Sequence, residues 1–454
     1  MNFESISIVQ LVEEIKSGRV SATDVSRFCL ERASQTQSLN AFTALDEEYV
    51  LQQAKAIDKK VAQGKPLGRL AGIPVGVKDN MTTEFYPTAC ASECFKNTDL
   101  LPKTDSQVVA NLRSQDAIIF GKTNMDELAM GFSSTNSAFG EVSNPFNPQY
   151  SAGGSSGGSA VAVAVGSVFC ALGSDTGGSI RQPASNCGVV GFKPTFNSVS
   201  RNGVFPLSNS LDHVGCMARS VRDCAETFLS IQKKPRNYTD CFADTPISFK
   251  VSCLTDFEGA TVDEDVLKVY FDAITAIKDV GYKPNGLKFG FSRRVAETYK
   301  VLCSTEGIAS FENFNKTHPN AITMQKCGRE VNSRVAFGKS VLATDPQAID
   351  RAFIEREKTR QYVSELFDVA DIIVCPTTLM RTLKKHEEIS NEKGFTSDLF
   401  SIVCNLTGIP AITIPMGRDC NGIPVGLQIM AIHNREEDLF AFAYSVEKAL
   451  KNVK

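Results

Sequence analysis

The chain has 454 residues, of which 42% are hydrophobic and 22% charged, and its net charge is −3. A chain of that size and balance buries a sizeable core without disulfide or metal staples. The composition excludes a bulk basic field for holding nucleic acid, and no apolar run reaches the length of a membrane span.

The 14 cysteines include no CxxC spacing, Cys90 and Cys94 being the closest pair, which excludes zinc-ribbon and thioredoxin-type sites. Many sit in apolar runs, as Cys170, Cys375 and Cys404 do, and read as buried free thiols of a reducing compartment. Glu4, Glu13 and Glu14 interrupt the first residues, so no secretory signal is expected there.

Ser7 caps a predicted helix carrying Ile8, Leu11, Val12 and Ile15, with Gly18 at its end. Ser21 and Asp24 have the form of a capping box before Val25, Phe28 and Cys29. From residue 72 short Val- and Ile-rich runs alternate with Gly, Ser, Asn and Asp. Residues 73–77, 117–121, 168–172, 372–374, 411–414 and 425–430 read as buried strands. Residues 106–112 and 438–450 read as helices between or after them. The class is α/β with a large mixed sheet in a single domain spanning residues 1–454. Residues 233–345 lack the glycine-rich texture and carry Val266, Tyr270, Ala273 and Ile277 at helical spacing, the pattern of a mostly helical insertion.

Chemistry concentrates in residues 153–183, where Gly-Gly-Ser-Ser-Gly-Gly-Ser leads through an Ala/Val run to Gly-Ser-Asp-Thr-Gly-Gly-Ser-Ile-Arg-Gln-Pro. The glycines let backbone approach a ligand closely. Thr176, Gly177, Gly178 and Ser179 present successive N–H groups suited to an oxyanion. A serine hydroxyl needs a base to become a nucleophile. The four histidines, His213, His318, His386 and His433, lie outside any motif-like setting. Lys78 closes a buried-looking strand, where desolvation lowers an amine pKa; a strand-end lysine reaching solvent is the alternative.

Gly153-Gly-Ser155-Ser-Gly157 also fits the G-x-S-x-G elbow of α/β-hydrolases, but that reading wants a late histidine and only His433 is placed for it. Gly121-Lys122-Thr123 ends like a P-loop, but Asp116 occupies the place of the first glycine, which excludes it.

The segment 153–183 as a whole resembles the signature of the amidase signature enzymes, and the similarity covers most of the chain. The resemblance implies that family's fold, a large mixed sheet with helices on both faces. It implies Lys78 as base, Ser155 as bridging serine in an unusual peptide geometry, and Ser179 as nucleophile. The N–H groups of Thr176, Gly177, Gly178 and Ser179 then face the oxyanion, while Asp175 and Arg181 brace the loop.

Residues 72–80, 121–131, 187–194 and 405–410 are similar to one branch of the family, the A subunits of glutamyl-tRNA(Gln) amidotransferases. That similarity implies glutamine as substrate, with Arg334 for its α-carboxylate, Asp398 for its α-ammonium and Gln182 lining the pocket. It also implies the B and C subunits of the amidotransferase as partners, or a lineage-specific equivalent. ATP and magnesium would act at the partner, Glu-tRNA(Gln) would be contacted mainly through the partner, and this chain would hold no cofactor. Three departures stand out: Ser304-Thr305-Glu306-Gly307 replaces an Arg/Tyr-Asp-Gly stretch, Cys216 replaces a proline, and Ser151-Ala152 stands where Val-Pro usually precedes the first glycines. They keep a free-standing amidase for another small amide as an alternative. A third reading is a non-catalytic scaffold subunit. The cysteine count points to a mitochondrial matrix protein, with the cytoplasm as alternative.

Overall fold

A computed structural model describes residues 3–234, 236, 238–242, 247–257, 260–290, 292–387 and 397–451. The first helix, Ile8–Lys16, starts as its capping pattern dictates. Ser7 Oγ accepts from the Gln10 N–H, Gln10 answers the Ser7 N–H, and Ile8, Leu11, Val12 and Ile15 are buried. The second, Ala22–Gln35, departs from the expected box. Ser21 accepts from the Asp24 N–H, but Asp24 takes the Ser21 hydroxyl at 2.6 Å. The free N–H groups of Ala22 and Thr23 go to Asp58 at 2.6 and 3.1 Å. A neighbouring helix thus supplies the cap that local sequence was expected to supply.

Among the described residues eleven strands form one sheet: β1 (Phe42–Leu45), β2 (Pro74–Lys78), β3 (Ile118–Thr123), β4 (Cys170–Asp175), β5 (Val190–Lys193), β6 (His213–Ala218), β7 (Val251–Asp256), β8 (Asn285–Lys288), β9 (Ile372–Pro376), β10 (Ala411–Arg418) and β11 (Pro424–Met430). Their order is β1-β3-β2-β4-β6-β5-β10-β11-β9-β7-β8. β2 runs parallel to both β3 and β4, and β7 to both β8 and β9, while the other pairings are antiparallel. The sheet is mixed, as its texture predicts. Residues 233–345 hold the helices Glu264–Asp279, Ser292–Thr317 and Arg329–Thr344, and they also supply β7 and β8 to one edge of the sheet.

Both faces are covered. Along β9, Ile372 and Val374 enter one core with Phe440 and Tyr270, and Ile373 and Cys375 enter another with Leu399, Val403 and Leu302. Alternation along a strand delivers successive side chains to opposite faces, so both sides of β9 are dry. Among the described residues no helix is long and apolar enough to cross a membrane.

The C-terminal ends of β2, β3 and β4 lie side by side, with Lys78 opposite Thr123 and Val77 opposite Leu172. Such an edge of parallel strands is where open α/β sheets bind ligands. Asp175, the last residue of β4, is fully buried and paired with Arg181 at 2.8 Å. Arg181 also reaches Gln428 of β11, the Ser401 carbonyl and Asn405 Oδ1, at 2.7, 3.0 and 2.7 Å. Burial alone raises the Asp175 carboxyl, but Arg181 outweighs it and holds the acid well below the usual carboxylate range. The loop after β4 is thereby bolted to the far half of the sheet.

Breaking a buried pair by removing one partner leaves an uncompensated charge. We therefore expect Arg181→Met to lower the unfolding free energy in urea by about 3–5 kcal/mol. A loss below about 1 kcal/mol, the range of an exposed pair, would show that the loop is held by something else.

Candidate active site

Lys78 ends β2 with 0% of its surface exposed. Its Nζ lies 2.8 Å from Ser155 Oγ, 2.8 Å from Ser174 Oγ and 3.3 Å from the Ser174 carbonyl. Asn80 Nδ2 donates to the same Ser174 hydroxyl at 3.0 Å. Burial pulls the amine down to about 7, against the more distant charges of Asp126, Asp175 and Asp212. Two other lysines are as deeply buried but differently engaged. Lys122 is paired with Asp79 at 3.1 Å, and Lys193 donates to the Ile409 carbonyl at 2.6 Å. The solvent-reaching alternative for Lys78 does not hold, because its strand is buried to its last residue.

Ser155 is held by the loop that precedes the helix Gly157–Ala164, and the Gly154–Ser155 peptide is cis. Its carbonyl accepts from the Asp126 N–H at 3.1 Å. The Gly154 N–H donates to Gln182 Oε1 at 2.9 Å, and Gln182 Nε2 donates to the Phe132 carbonyl at 3.0 Å. Glycine is required at 154, since a Cβ there would lie 1.9 Å from Asp126 Oδ2. The two Gly/Ser loops are joined directly: Ser156 donates its N–H to the Ser179 carbonyl at 3.1 Å and its hydroxyl to the Ser174 carbonyl at 3.2 Å.

Asp175 shapes the second loop from inside, accepting from the N–H groups of Gly178 and Ile180 at 2.8 and 3.1 Å. The Gly178 N–H, expected to face a reacting oxygen, is therefore turned onto a carboxylate. Thr176 is fixed at its side chain, which donates to Asp212 at 2.7 Å. Ser179 is only half-buried, unlike its fully covered neighbours Ser174 and Ile180.

The remaining predicted residues come from distant elements. Arg334, on the helix Arg329–Thr344, pairs with Glu330 at 2.9 Å. Burial opposes its charge, but Glu330, Tyr299 and Cys303 nearby together outweigh burial and raise it. Asp398 precedes the helix Leu399–Thr407, and burial pushes its carboxyl up to about 7 against the pull of Arg181 and Arg334. The fold thus brings Arg334 and Asp398 into one another's field. Gln182 lines a cleft of about 140 Å³ with Phe132, Ser133, Arg381 and Ser397. Its amide is engaged with Gly154 and Phe132, so it braces the serine loop from the pocket side.

Three residues that sequence reasoning missed also lie here. Ser174 is the second hydroxyl on Lys78. Tyr299 lies over Gly177, where a Cβ would come within 2.5 Å of the phenol oxygen. Asp126 is buried beneath Gly154 with Oδ2 unpartnered, and burial pushes its carboxyl up to about 7. Ser174 lies within the segment 153–183 and Asp126 within 121–131, but nothing in those stretches singles either out, and Tyr299 has no sequence signal. The divergent Glu306 has a bracing role, accepting from Ser208 Oγ, the Ser210 N–H and Ser210 Oγ at 2.6, 2.9 and 2.6 Å.

The histidine alternative finds no support. His213 is bonded to the Leu211 carbonyl, His318 to the Thr317 hydroxyl, His386 to Glu141 and His433 to the Thr407 carbonyl.

Residues 24–440 match the family model described as Amidase. The chain is 33% identical over 480 residues to the A subunit of the glutamyl-tRNA(Gln) amidotransferase of Lachnospira eligens, covering 99% of each. The crystal structure of the same-named protein from Thermotoga maritima superposes with a TM-score of 0.82 at 29% identity, over 99% of this chain and 95% of that one. The native peptide amidase of Stenotrophomonas maltophilia superposes equally well, at 0.82 and 26% identity, over 100% and 98% of the two chains. With a family model spanning nearly the whole length, and a relative of this identity aligned end to end, the chain belongs to the amidase family of enzymes.

Proposed function

We propose that this chain is the glutamine-hydrolysing component of a tRNA-dependent amidotransferase and that it works by a Lys78–Ser155–Ser179 relay. The observation that carries the reading is the 2.8 Å approach of a fully buried, carboxylate-free amine to Ser155 Oγ. Neutral Lys78 takes the Ser155 proton while Ser155 takes that of Ser179. Ser179 Oγ then attacks the carboxamide carbon, and its C=O electron pair moves onto oxygen. The N–H groups of Thr176, Gly177 and Ser179 stabilise that oxyanion. The tetrahedral species collapses, the C–N bond breaks, and the relay returns a proton so that ammonia leaves. Water, deprotonated by the same relay, cleaves the acyl-serine to glutamate and restores Ser179.

Arg334 and Asp398 supply the opposite charges that an α-carboxylate and an α-ammonium require. Asp398 is the more responsive of the two, because an arriving ammonium restores the charge that burial discourages. The B and C partners complete the complex, with ATP, magnesium and the principal tRNA contacts on their side. The relative's name and end-to-end alignment support this assignment. The second reading, a free-standing amidase, is favoured by the peptide amidase likeness and the altered residues 304–307.

With the partners present, Ser179→Ala and Lys78→Ala should each lower glutamine turnover by about 10²–10⁴-fold while circular dichroism stays unchanged. Normal ammonia release in either variant would remove the relay. Arg334→Ala should raise KM for glutamine by about 10–100-fold, the weight of hydrogen bonds to a charged group. An unaltered KM, together with turnover of simple amides by the chain alone, would favour the free-standing amidase.

The pH dependence has a definite sign. Lys78 must be neutral and Asp398 charged, and both conditions improve as pH rises through about 7. The kcat/KM should therefore fall on the acid side of neutrality and level off above it. A profile that stays flat on the acid side would contradict a lysine base.

A further inference from the structure

Three carboxylates act on the charge of Lys78, those of Asp126, Asp175 and Asp212, and they are satisfied unequally. Asp175 takes the N–H groups of Gly178 and Ile180, the Arg181 guanidinium and the Asn405 amide. Asp212 takes the Thr176 hydroxyl on one oxygen and the N–H groups of Leu207 and Ser208 on the other. Asp126 has the Ser134 N–H on Oδ1 at 2.8 Å, and among the described residues nothing donates to its Oδ2. The residue is 0% exposed, so bulk solvent does not reach that oxygen.

We propose that Asp126 is a positioning residue for the reaction, clamping the Ser155 loop from beneath and governing the charge of Lys78 through its carboxyl. The Asp126 N–H donates to the Ser155 carbonyl at 3.1 Å. Ser134, held by Asp126 Oδ1, donates its hydroxyl to the Gly153 carbonyl at 2.8 Å. The carbonyls on either side of Gly154 are thus fixed by one segment. The carboxyl lies against Gly154 itself, and a Cβ on Gly131 would collide with its Cγ, so the side chain has one place to be. Lys78 meets the same serine at 2.8 Å through Oγ. Carboxyl and amine therefore bracket Ser155.

An ionised carboxylate with an unsatisfied oxygen is costly in a dry interior. Burial raises the Asp126 carboxyl against the Ser134 N–H; Glu330 adds to the rise, and Lys78 and Arg334 oppose it. Around Lys78 burial lowers the amine, opposed by Asp126, Asp175, Asp212 and Cys90. Burial keeps Cys90 a neutral thiol, and Asp175 and Asp212 are committed to other donors. Asp126 is left as the carboxyl whose state can change. Withholding a donor from Oδ2 keeps it from becoming the counter-ion that would fix Lys78 as an ammonium. Removing the carboxyl lets Lys78 lose its proton at lower pH, because an opposite charge nearby favours the charged amine. The effect on turnover rests on the reading of Lys78 as the base, whereas the state of the buried carboxyl does not.

The test compares wild type, D126N and D126A in the full chain with its partners. D126N keeps an oxygen for the Ser134 N–H but cannot ionise, and D126A loses both properties. The acid limb of kcat/KM for glutamine should move to lower pH in both variants. On that limb each should keep about 3–10-fold more of its own plateau than the wild type does at the same pH. Plateau kcat should fall by about 10–100-fold in D126A, as a misplaced Ser155 requires, and D126N should recover most of it, with KM changing less than kcat. An acid limb that stays in place in both variants would reduce Asp126 to a structural residue and overturn the proposal. Urea unfolding reads the carboxyl without turnover. Folded Asp126 holds its proton up to about 7, so the wild type binds more protons folded than unfolded and loses stability as pH rises toward that value. D126N should therefore gain stability relative to the wild type from about pH 4 upward to neutrality. A difference that does not vary with pH would also overturn the proposal. Absence of glutamine turnover in the wild type would count against the proposed function, and the unfolding comparison would still decide the state of Asp126.

Discussion

The carboxylate of Asp175 is the constraint on which the rest of this site depends. It ends β4 in a dry interior, where an isolated charge is costly, so every group able to satisfy it is drawn in. Two backbone N–H groups of the Thr176–Ile180 turn, the guanidinium of Arg181 and the amide of Asn405 converge on it. The turn is thereby given one shape and fastened to the helix Leu399–Thr407, which carries Asp398 at its start. The backbone and the side chain proposed for the oxyanion and the substrate are thus linked through a single buried anion.

The same desolvation lowers the amines of all three fully buried lysines, Lys78, Lys122 and Lys193; it is their partners that differ. Lys122 answers burial with a carboxylate partner, and Lys193 with backbone carbonyls. Lys78 is left with hydroxyls, from Ser155 and Ser174, and the Ser174 carbonyl. Hydroxyls accept from an ammonium but do not neutralise it, so the balance shifts toward the free amine. Under the proposed relay such an amine serves as a base without histidine, and the four histidines are bonded elsewhere.

The wall proposed to meet the substrate is built on different terms. Arg334, Tyr299 and Asp398 come from three helices beyond the strand ends, held by pairs such as Arg334–Glu330 and by contacts of Glu306 with Ser208 and Ser210. Glu306 ties its helix to the loop that carries Asp212. Gly307 packs against Met130, where a Cβ would lie 2.9 Å from its methyl carbon.

Sequence alone determined the local features. Apolar runs marked β2, β3, β4, β9, β10 and β11, because strands buried on both faces are continuously apolar. It left five strands unseen: β1 and β8, which are half-exposed sheet edges with residues such as Asn285 and Lys288, and β5, β6 and β7, which are largely buried but interrupted by residues such as Gly191, Lys193, His213 and Gly215 or, for β7, lie in the stretch expected to be helical. The glycines and serines of residues 153–183 were legible because close backbone approach demands them whatever surrounds them. Other matters needed the tertiary structure: that Asp58 caps a helix it does not belong to, that the Gly178 N–H serves Asp175, and that Ser174, Tyr299 and Asp126 join the site. The reason is that burial, which sets the charge of Lys78 and Asp398 alike, is a property of neighbours brought from far along the chain. A residue's own sequence context does not record what will cover it.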